Sequence, residues 1–177
     1  MNIWLFGYGS LIWRQDFPFH DARRATLHGW QRRFWQGSHD HRGVPDAPGR
    51  VVTLIEADGH CDGVAFLVDA ATAEATFAAL DHREKNGYQR IDTHLHFHDG
   101  DTAAGVTYIA TPGNFAYLGP APLDAIARQI SVSRGPSGRN IDYLTDLAAT
   151  LRRLGFADSH VFELEAAASA INPEWED

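Results

Sequence analysis

Cysteine, basic residues and long apolar runs are all scarce in this sequence of 177 residues, and each scarcity excludes a class of protein. The one cysteine, Cys61, cannot form a disulfide within the chain. The 15 lysines and arginines stand against 23 aspartates and glutamates, a net charge of -8, whereas general binding to nucleic acid or an anionic membrane needs a positive field. No apolar run reaches the roughly 18 residues of a membrane span, and no stretch resembles a signal peptide. We therefore expect a cytoplasmic protein that binds neither nucleic acid nor membrane.

The composition favours one folded domain. Hydrophobic residues make up 44% of the chain and charged residues 21%, and a chain of this length buries about 70% of the surface that its unfolded form exposes. The sequence contains no internal repeat, no low-complexity tract and no linker long enough to separate two domains. We expect a single domain over residues 1–177 that ends in a short, loose acidic tail at residues 172–177.

Strand-like patterns dominate the first two thirds of the chain, and helical patterns dominate the last third. β-rich runs occupy residues 3–6, 23–35, 50–55, 63–68, 88–97 and 105–110. Helical patterns occupy residues 70–83, 123–130, 140–151 and 158–164. Asn140 and Asp158 are the expected N-caps of the last two helices, and Asp58-Gly59 predicts a hairpin turn between the third and fourth strands. These patterns indicate an α+β domain whose strands could close into a small barrel.

A glycine-rich segment, Gly7-Tyr8-Gly9-Ser10, follows the first strand directly. Ile12 stands where a dinucleotide-binding loop needs its third glycine, and its presence also breaks the Gly-x-Ser-x-Gly pattern of a hydrolase. The successive amides of residues 8–11 could form a concave nest for a carboxylate or an oxyanion. A simple tight turn explains the glycines equally well, so loop chemistry alone leaves both alternatives open.

Three alternating histidines, His94, His96 and His98, lie on one expected strand and would project from one face of it. That geometry suits a metal site. Alternating polar residues also mark the solvent face of any antiparallel strand, and the sequence assigns no further ligand. We therefore expect no metal and no cofactor.

Glu84 falls near the end of the expected helix 70–83, among the cations Arg83, Lys85 and Arg90. The helix dipole disfavours an ionised carboxylate there and the cations favour it, so spacing leaves the direction of any pKa shift open. An exposed salt-bridge cluster is the more usual explanation for such a position than catalysis.

Several blocks, in one order along the chain, resemble the ChaC-type glutathione-specific γ-glutamylcyclotransferases. The blocks are Phe6-Gly7-Tyr8-Gly9-Ser10-Leu11-Ile12-Trp13, Arg33-Phe34-Trp35-Gln36-Gly37-Ser38, Asp40-His41-Arg42-Gly43, Pro48-Gly49-Arg50-Val51, Leu80-Asp81-x-Arg83-Glu84-Lys85-x-Gly87-Tyr88, Tyr117-Leu118-Gly119-Pro120 and Gly135-Pro136-Ser137-Gly138-x-Asn140-x-x-Tyr143-Leu144. Together they span roughly residues 3–165, which makes accidental similarity implausible.

The resemblance implies a γ-glutamylcyclotransferase-like fold, a small mixed β-barrel with flanking helices that are concentrated in the C-terminal part. It implies that Glu84 is the catalytic acid and base. The expected substrate-binding residues are Leu5, Phe6, Gly7, Tyr8, Gly9, Ser10, Leu11, Arg42, Arg50 and Tyr143. Arg42 and Arg50 are candidates for a terminal carboxylate, because guanidinium pairs well with that group. Arg50 could equally be a structural residue at a strand end.

The reaction that the resemblance implies is intramolecular. The α-amine of glutathione attacks its own γ-carbonyl, which forms 5-oxoproline and releases Cys-Gly. Because an ordinary glutamate is a weak base for an amine, we expect partial burial to raise the pKa of Glu84. We expect no cofactor and favour a monomer.

Three alternatives accompany this hypothesis. The first is a cyclotransferase that acts on other γ-glutamyl amines or amino acids. The second is a metal-binding module built on His94, His96 and His98. The third, a catalytically inactive adaptor, is disfavoured because Glu84 and the whole segment from Gly7 to Leu11 are present.

Overall fold

The fold contains a closed five-stranded barrel. The structure is a computed structural model that describes residues 2–83 and 87–171. The barrel strands are β1 (Ile3–Gly7), β2 (Asp21–Ser38), β3 (Gly49–Val68), β4 (Tyr88–Phe97) and β5 (Thr102–Ala110). They follow the order β1-β3-β2-β4-β5, with β1 antiparallel to β3 and parallel to β5. The expected mixed barrel is confirmed.

The helices lie mostly in the C-terminal part, as expected. They are α1 (Ala70–Arg83), α2 (Leu123–Val132), α3 (Asn140–Arg153) and α4 (Ser159–Ser169), with the short strands β6 (Arg134–Gly135) and β7 (Gly138–Arg139) between α2 and α3. The Asp158 cap is confirmed, since its carboxylate accepts from the Val161 amide at 3.1 Å. No helix of the described ranges is long and apolar enough to cross a bilayer.

The predicted hairpin between residues 50–55 and 63–68 is wrong. Both runs belong to the single 20-residue strand β3. At Gly59 the backbone takes a φ of +122°, and the Gln31 side chain of β2 donates to the Asp58 carbonyl. The Asp-Gly pair therefore introduces a local irregularity into a strand that stays beside β2, instead of reversing the chain.

The predicted capping role of Asn140 is also wrong. Arg139 occupies the N-cap position of α3, with no side-chain capping bond. The Asn140 amide instead joins the backbone of Arg50: its Oδ1 accepts from the Arg50 N–H and its Nδ2 donates to the Arg50 carbonyl, each at 2.8 Å. A fully buried amide has to satisfy its polar atoms, and the Arg50 backbone of β3 offers a donor and an acceptor together.

Contacts group the chain into two compact units. The first comprises Met1–Arg32 and Leu54–Phe115, and the second comprises Arg33–Thr53 and Ala116–Asp177. In the first unit, helix α1 packs against β1 and β5 through Leu5, Phe77, Leu80 and Tyr108. In the second, Ile130 of α2, Leu147 of α3 and Leu164 of α4 are fully buried. The expectation of a single domain stays a prediction, and the tail 172–177 lies outside the described residues.

Candidate active site

The glycine-rich segment after β1 is held tightly in the first unit. A side chain at Gly7 would lie 3.0 Å from Leu11 Cβ and 3.3 Å from the Phe66 ring, so close packing explains this glycine. A one-turn 3₁₀ helix, Ser10–Ile12, follows. Its turn is closed by the Ile12 N–H, which donates to the Gly9 carbonyl at 3.0 Å. The segment therefore has one defined backbone course, as a preorganised binding loop requires.

The large side chains of the predicted binding segment face the protein interior, whereas Ser10 is half-buried. Leu5 is 0% exposed and Phe6 is 1% exposed, and both belong to the ladders of β1. Tyr8 and Leu11 are also buried. This arrangement favours a ligand that contacts the backbone of Gly7 to Leu11, with Leu5 and Phe6 as its support. Direct substrate contacts by these residues stay predictions.

A chain of hydrogen bonds joins this loop to helix α1. The Tyr8 hydroxyl donates to the Tyr108 carbonyl of β5 at 2.5 Å. The Tyr108 hydroxyl in turn donates to Asp81 Oδ1, on the last turn of α1, at 2.6 Å. Asp81 precedes Glu84 by three positions in the sequence. Glu84 itself lies outside the described residues, so its predicted role rests on other grounds.

Arg32 is a contributor that the sequence analysis missed. Its side chain is 2% exposed. Its Nε donates to the Tyr8 carbonyl at 2.7 Å, and its Nη2 donates to the Asp62 carbonyl. An arginine in an aromatic-rich strand is the only sequence signal, and it does not identify a partner 24 residues away. The Arg32 side chain therefore anchors the glycine-rich segment through the backbone carbonyl of Tyr8.

The second unit brings Arg42 and Tyr143 together. The Arg42 guanidinium carbon lies 5.8 Å from the centre of the Tyr143 ring, and its Nη1 donates to the Arg139 carbonyl at 3.1 Å. Tyr143 is buried, and its hydroxyl accepts from the Val52 amide at 3.3 Å. Arg42 is half-buried, so its cationic group retains access to solvent. Their predicted substrate contacts are untested.

Arg50 lies in the same unit but is more deeply enclosed. It is 6% exposed. Its Nε donates to Gln129 Oε1 at 2.7 Å, and its Nη1 donates to the carbonyls of Phe34 and Gly119 at 3.0 and 2.9 Å. Burial lowers the pKa of the Arg50 guanidinium from its ordinary value. These contacts favour the structural alternative for Arg50, while a substrate contact stays an untested prediction.

Comparison with known proteins identifies the family. A family model described as a ChaC-like protein matches residues 3–170. The chain belongs to the ChaC-like family. This member is 43% identical over 173 residues to glutathione-specific gamma-glutamylcyclotransferase 1 of Danio rerio. The alignment covers 94% of this chain and 88% of the relative. It is 45% identical over 174 residues to gamma-glutamylcyclotransferase 2-3 of Arabidopsis thaliana, with 93% and 87% covered.

A solved structure supports the same assignment. The ChaC-like chain matches a yeast gamma-glutamyl cyclotransferase specific to glutathione with a TM-score of 0.90 and 28% identity. The match covers 95% of this chain and 96% of the yeast chain. The mixed barrel and its helices therefore have the architecture of that enzyme.

In this ChaC-like chain, the bond between Tyr108 and Asp81 can be tested by removing either partner. We expect Tyr108→Phe to destabilise the fold by about 1 kcal/mol and to lower kcat, with little change in KM. Asp81→Ala should have the same effects, and the double variant should be no worse than either single one, because both remove one interaction. Asp81→Asn keeps an acceptor and should restore most of kcat. Additive losses in the double variant would contradict a shared role.

Arg50→Lys separates the two roles considered for Arg50. Lysine cannot serve the three acceptors in the geometry that guanidinium provides, so we expect a loss of about 2 kcal/mol in the free energy of unfolding. KM of the folded variant should stay unchanged. A higher KM with an unchanged melting temperature would instead identify Arg50 as a substrate contact. Urea unfolding and steady-state kinetics together measure both quantities.

Proposed function

We propose that this protein is a glutathione-specific γ-glutamylcyclotransferase that converts glutathione to 5-oxoproline and Cys-Gly. The observation that carries the proposal is its similarity, over nearly its full length, to enzymes named for this activity, with 40% identity even to the human enzyme. The fold match to the yeast glutathione-specific enzyme supports the same activity. The preorganised loop from Gly7 to Leu11 supplies a fitting place for the γ-glutamyl group.

Positioning contributes much of the rate enhancement in this reaction. The α-amine and the γ-carbonyl carbon belong to one substrate, so a folded conformer makes the attack intramolecular. Well-oriented reactions of this kind reach effective molarities of about 10⁵ to 10⁸ M. The segment from Gly7 to Leu11 holds the γ-glutamyl group in that conformer through its backbone, and the contacts from Arg32 and Tyr108 keep the segment rigid.

Glu84 moves the proton in the proposed mechanism. The α-amine of glutathione is mostly protonated at neutral pH, so one proton first passes to solvent, and Glu84 takes a second proton as the neutral nitrogen attacks the γ-carbon. The tetrahedral intermediate then collapses: the bond from the γ-carbon to the cysteinyl nitrogen breaks, and Glu84 returns the proton to that nitrogen. The lactam and Cys-Gly leave with atoms balanced, and no water is consumed.

Arg42 is the proposed contact for the glycine carboxylate of glutathione. The protein carries a net charge of -8, so an anionic substrate needs a local cation. Arg42, Arg134 and Arg139 concentrate positive charge on one loop and the adjoining β6–β7 hairpin of the second unit. A guanidinium also matches the two oxygens of a carboxylate. This contact would favour glutathione over shorter γ-glutamyl compounds.

Arg42→Met tests that contact. We expect kcat/KM for glutathione to fall about tenfold, the loss of one hydrogen bond to a charged group. The value for γ-glutamylcysteine, which lacks the glycine, should change less. Arg153→Met, which removes an exposed arginine elsewhere in the second unit, is the matched control and should leave both values unchanged. Equal losses for both substrates would contradict selection by Arg42.

The substrate itself is tested by profiling the purified protein. Reduced glutathione, γ-glutamylalanine and a γ-glutamyl amine are incubated separately, and the products are followed by mass spectrometry. We expect 5-oxoproline and Cys-Gly from glutathione, with much slower turnover of the other two. Preferred turnover of the other compounds would support a cyclotransferase of broader specificity. The name of the Arabidopsis relative, which specifies no substrate, is compatible with that alternative.

A cytoplasmic monomer completes the proposal. The cytosol keeps thiols reduced, which suits both the substrate and a chain whose one cysteine is buried. The assembly state is measured by light scattering after size-exclusion chromatography. A mass of 19.6 kDa is expected.

A further inference from the structure

Three neighbouring strands of the first unit carry histidines on the outer face of the barrel. On β4, Leu95 is 0% exposed, while His94 on the opposite face and His98, directly after the strand, are exposed, as the alternation predicted. The face continues onto the neighbouring strands β2 and β3, where exposed or half-buried residues alternate with buried ones in the same way. We call this set the histidine face; its members are Thr26, His28, His60, Asp62, His94, His96 and His98.

Two imidazole pairs on this face are closely packed. The ring centres of His28 and His96 lie 4.6 Å apart, and those of His94 and His96 lie 5.2 Å apart. Imidazoles that share one tetrahedral ion, with nitrogen–metal bonds of about 2.0–2.1 Å, place their ring centres about 5 Å apart. The rings therefore already have the separation that a common ion requires.

His96 also carries an unsatisfied polar atom. Its Nδ1 is buried and has no hydrogen-bond partner among the residues that the structure describes. A buried nitrogen without a partner costs free energy, and such atoms in native proteins call for an explanation. A metal ion or a metal-bound water would satisfy it. This observation is independent of the ring separations and concerns His96, the residue that the two pairs share.

We propose that His28 and His96 bind a first-row divalent transition-metal ion, with His94 as the third ligand. Within residues 2–83 and 87–171 no three ligating side chains already converge, so His28 and His96 bind first and His94 rotates to join them. Imidazole donors suit zinc, nickel and copper, and water fills the open positions. Because β2 pairs with β4 at Thr26 and His96, the ion also cross-links these two barrel strands.

Zinc titration of the metal-stripped, tag-free protein tests the site. We expect about one equivalent of bound zinc by calorimetry and a rise in melting temperature with zinc concentration, since the ion binds the folded state. His28→Gln and His96→Gln should each weaken binding at least about tenfold, because even outer-shell partners change metal affinity 10–100-fold. His28 is exposed, so its variant should fold even where the His96 variant does not.

The double variant His60→Gln/His98→Gln is the matched control. It removes two histidines of the same face that lie next to Asp62, each with its Nε2 3.7 Å from a carboxylate oxygen. Unchanged zinc affinity in this control supports the proposed ligands. A loss in the control, unchanged affinity in the His28 variant, or no zinc binding by the wild type would each overturn the proposal. These readouts do not depend on enzyme activity.

Discussion

We expect replacement of Glu84 by glutamine to lower kcat for glutathione by at least about a hundredfold, because general acid–base catalysis contributes a factor of about 10² to 10⁴. Glutamine is nearly isosteric but accepts no proton at neutral pH. KM should change little, since the proposed binding contacts come from the glycine-rich segment and Arg42. Steady-state release of 5-oxoproline measures both quantities.

Glu74→Gln is the matched control for this experiment. Glu74 lies on helix α1, which ends at Arg83, and is exposed. We expect its kinetics to equal those of the wild type. If the Glu84 variant kept its kcat while folding normally, the proton-transfer role would belong to another residue. If its KM rose steeply with kcat unchanged, Glu84 would bind the substrate amine without exchanging its proton.

Removal of the Arg32 guanidinium has the largest expected effect on stability. In Arg32→Met the carbonyls of Tyr8 and Asp62 lose their buried donors. An unsatisfied buried group costs about 1–3 kcal/mol, so we expect a loss of about 3 kcal/mol in the free energy of unfolding. Because Tyr8 belongs to the proposed binding segment, kcat/KM of the folded fraction should also fall. Urea unfolding measures the loss of stability, and steady-state kinetics at a temperature where the variant stays folded measures kcat/KM.

Arg24→Met provides the comparison for Arg32. Arg24 lies on the same strand, β2, but is exposed, and surface substitutions usually change stability by less than about 0.5 kcal/mol. An Arg32 variant as stable as the Arg24 variant would contradict the anchoring role. A destabilised Arg32 variant with unchanged kcat/KM would show that Arg32 stabilises the fold but does not affect substrate binding.

Local patterns predicted most of the fold, and they were wrong where distant contacts decided the outcome. Period-two runs predicted the strands, and the alternation along β4 correctly placed the histidines on one face. The Asp58-Gly59 pair has turn chemistry, but β3 continues through it beside β2, and the Gln31 side chain of β2 donates to the Asp58 carbonyl. Asn140 has capping chemistry, but the Arg50 backbone, 90 residues earlier, engages its amide. In both cases the free energy of tertiary contacts outweighs the local conformational preference.

The candidate site was predictable only in part, and for the same reason. The glycine-rich segment and Glu84 came from the family resemblance, which works on contiguous blocks. Arg32, Asp81 and Tyr108 act through partners 24 to 100 residues away, and no short pattern reports such distances. The sequence left two roles open for Arg50, and the three acceptors of its guanidinium favour the structural role.

In the proposed mechanism the substrate amine, and not water, attacks the γ-carbonyl. The most direct measurement is turnover of glutathione in water enriched in oxygen-18, with the products identified by mass spectrometry. We expect unlabelled 5-oxoproline and Cys-Gly in equal amounts from the wild type, and neither product from the Glu84→Gln variant. Release of glutamate that carries oxygen-18 would show hydrolysis and contradict it.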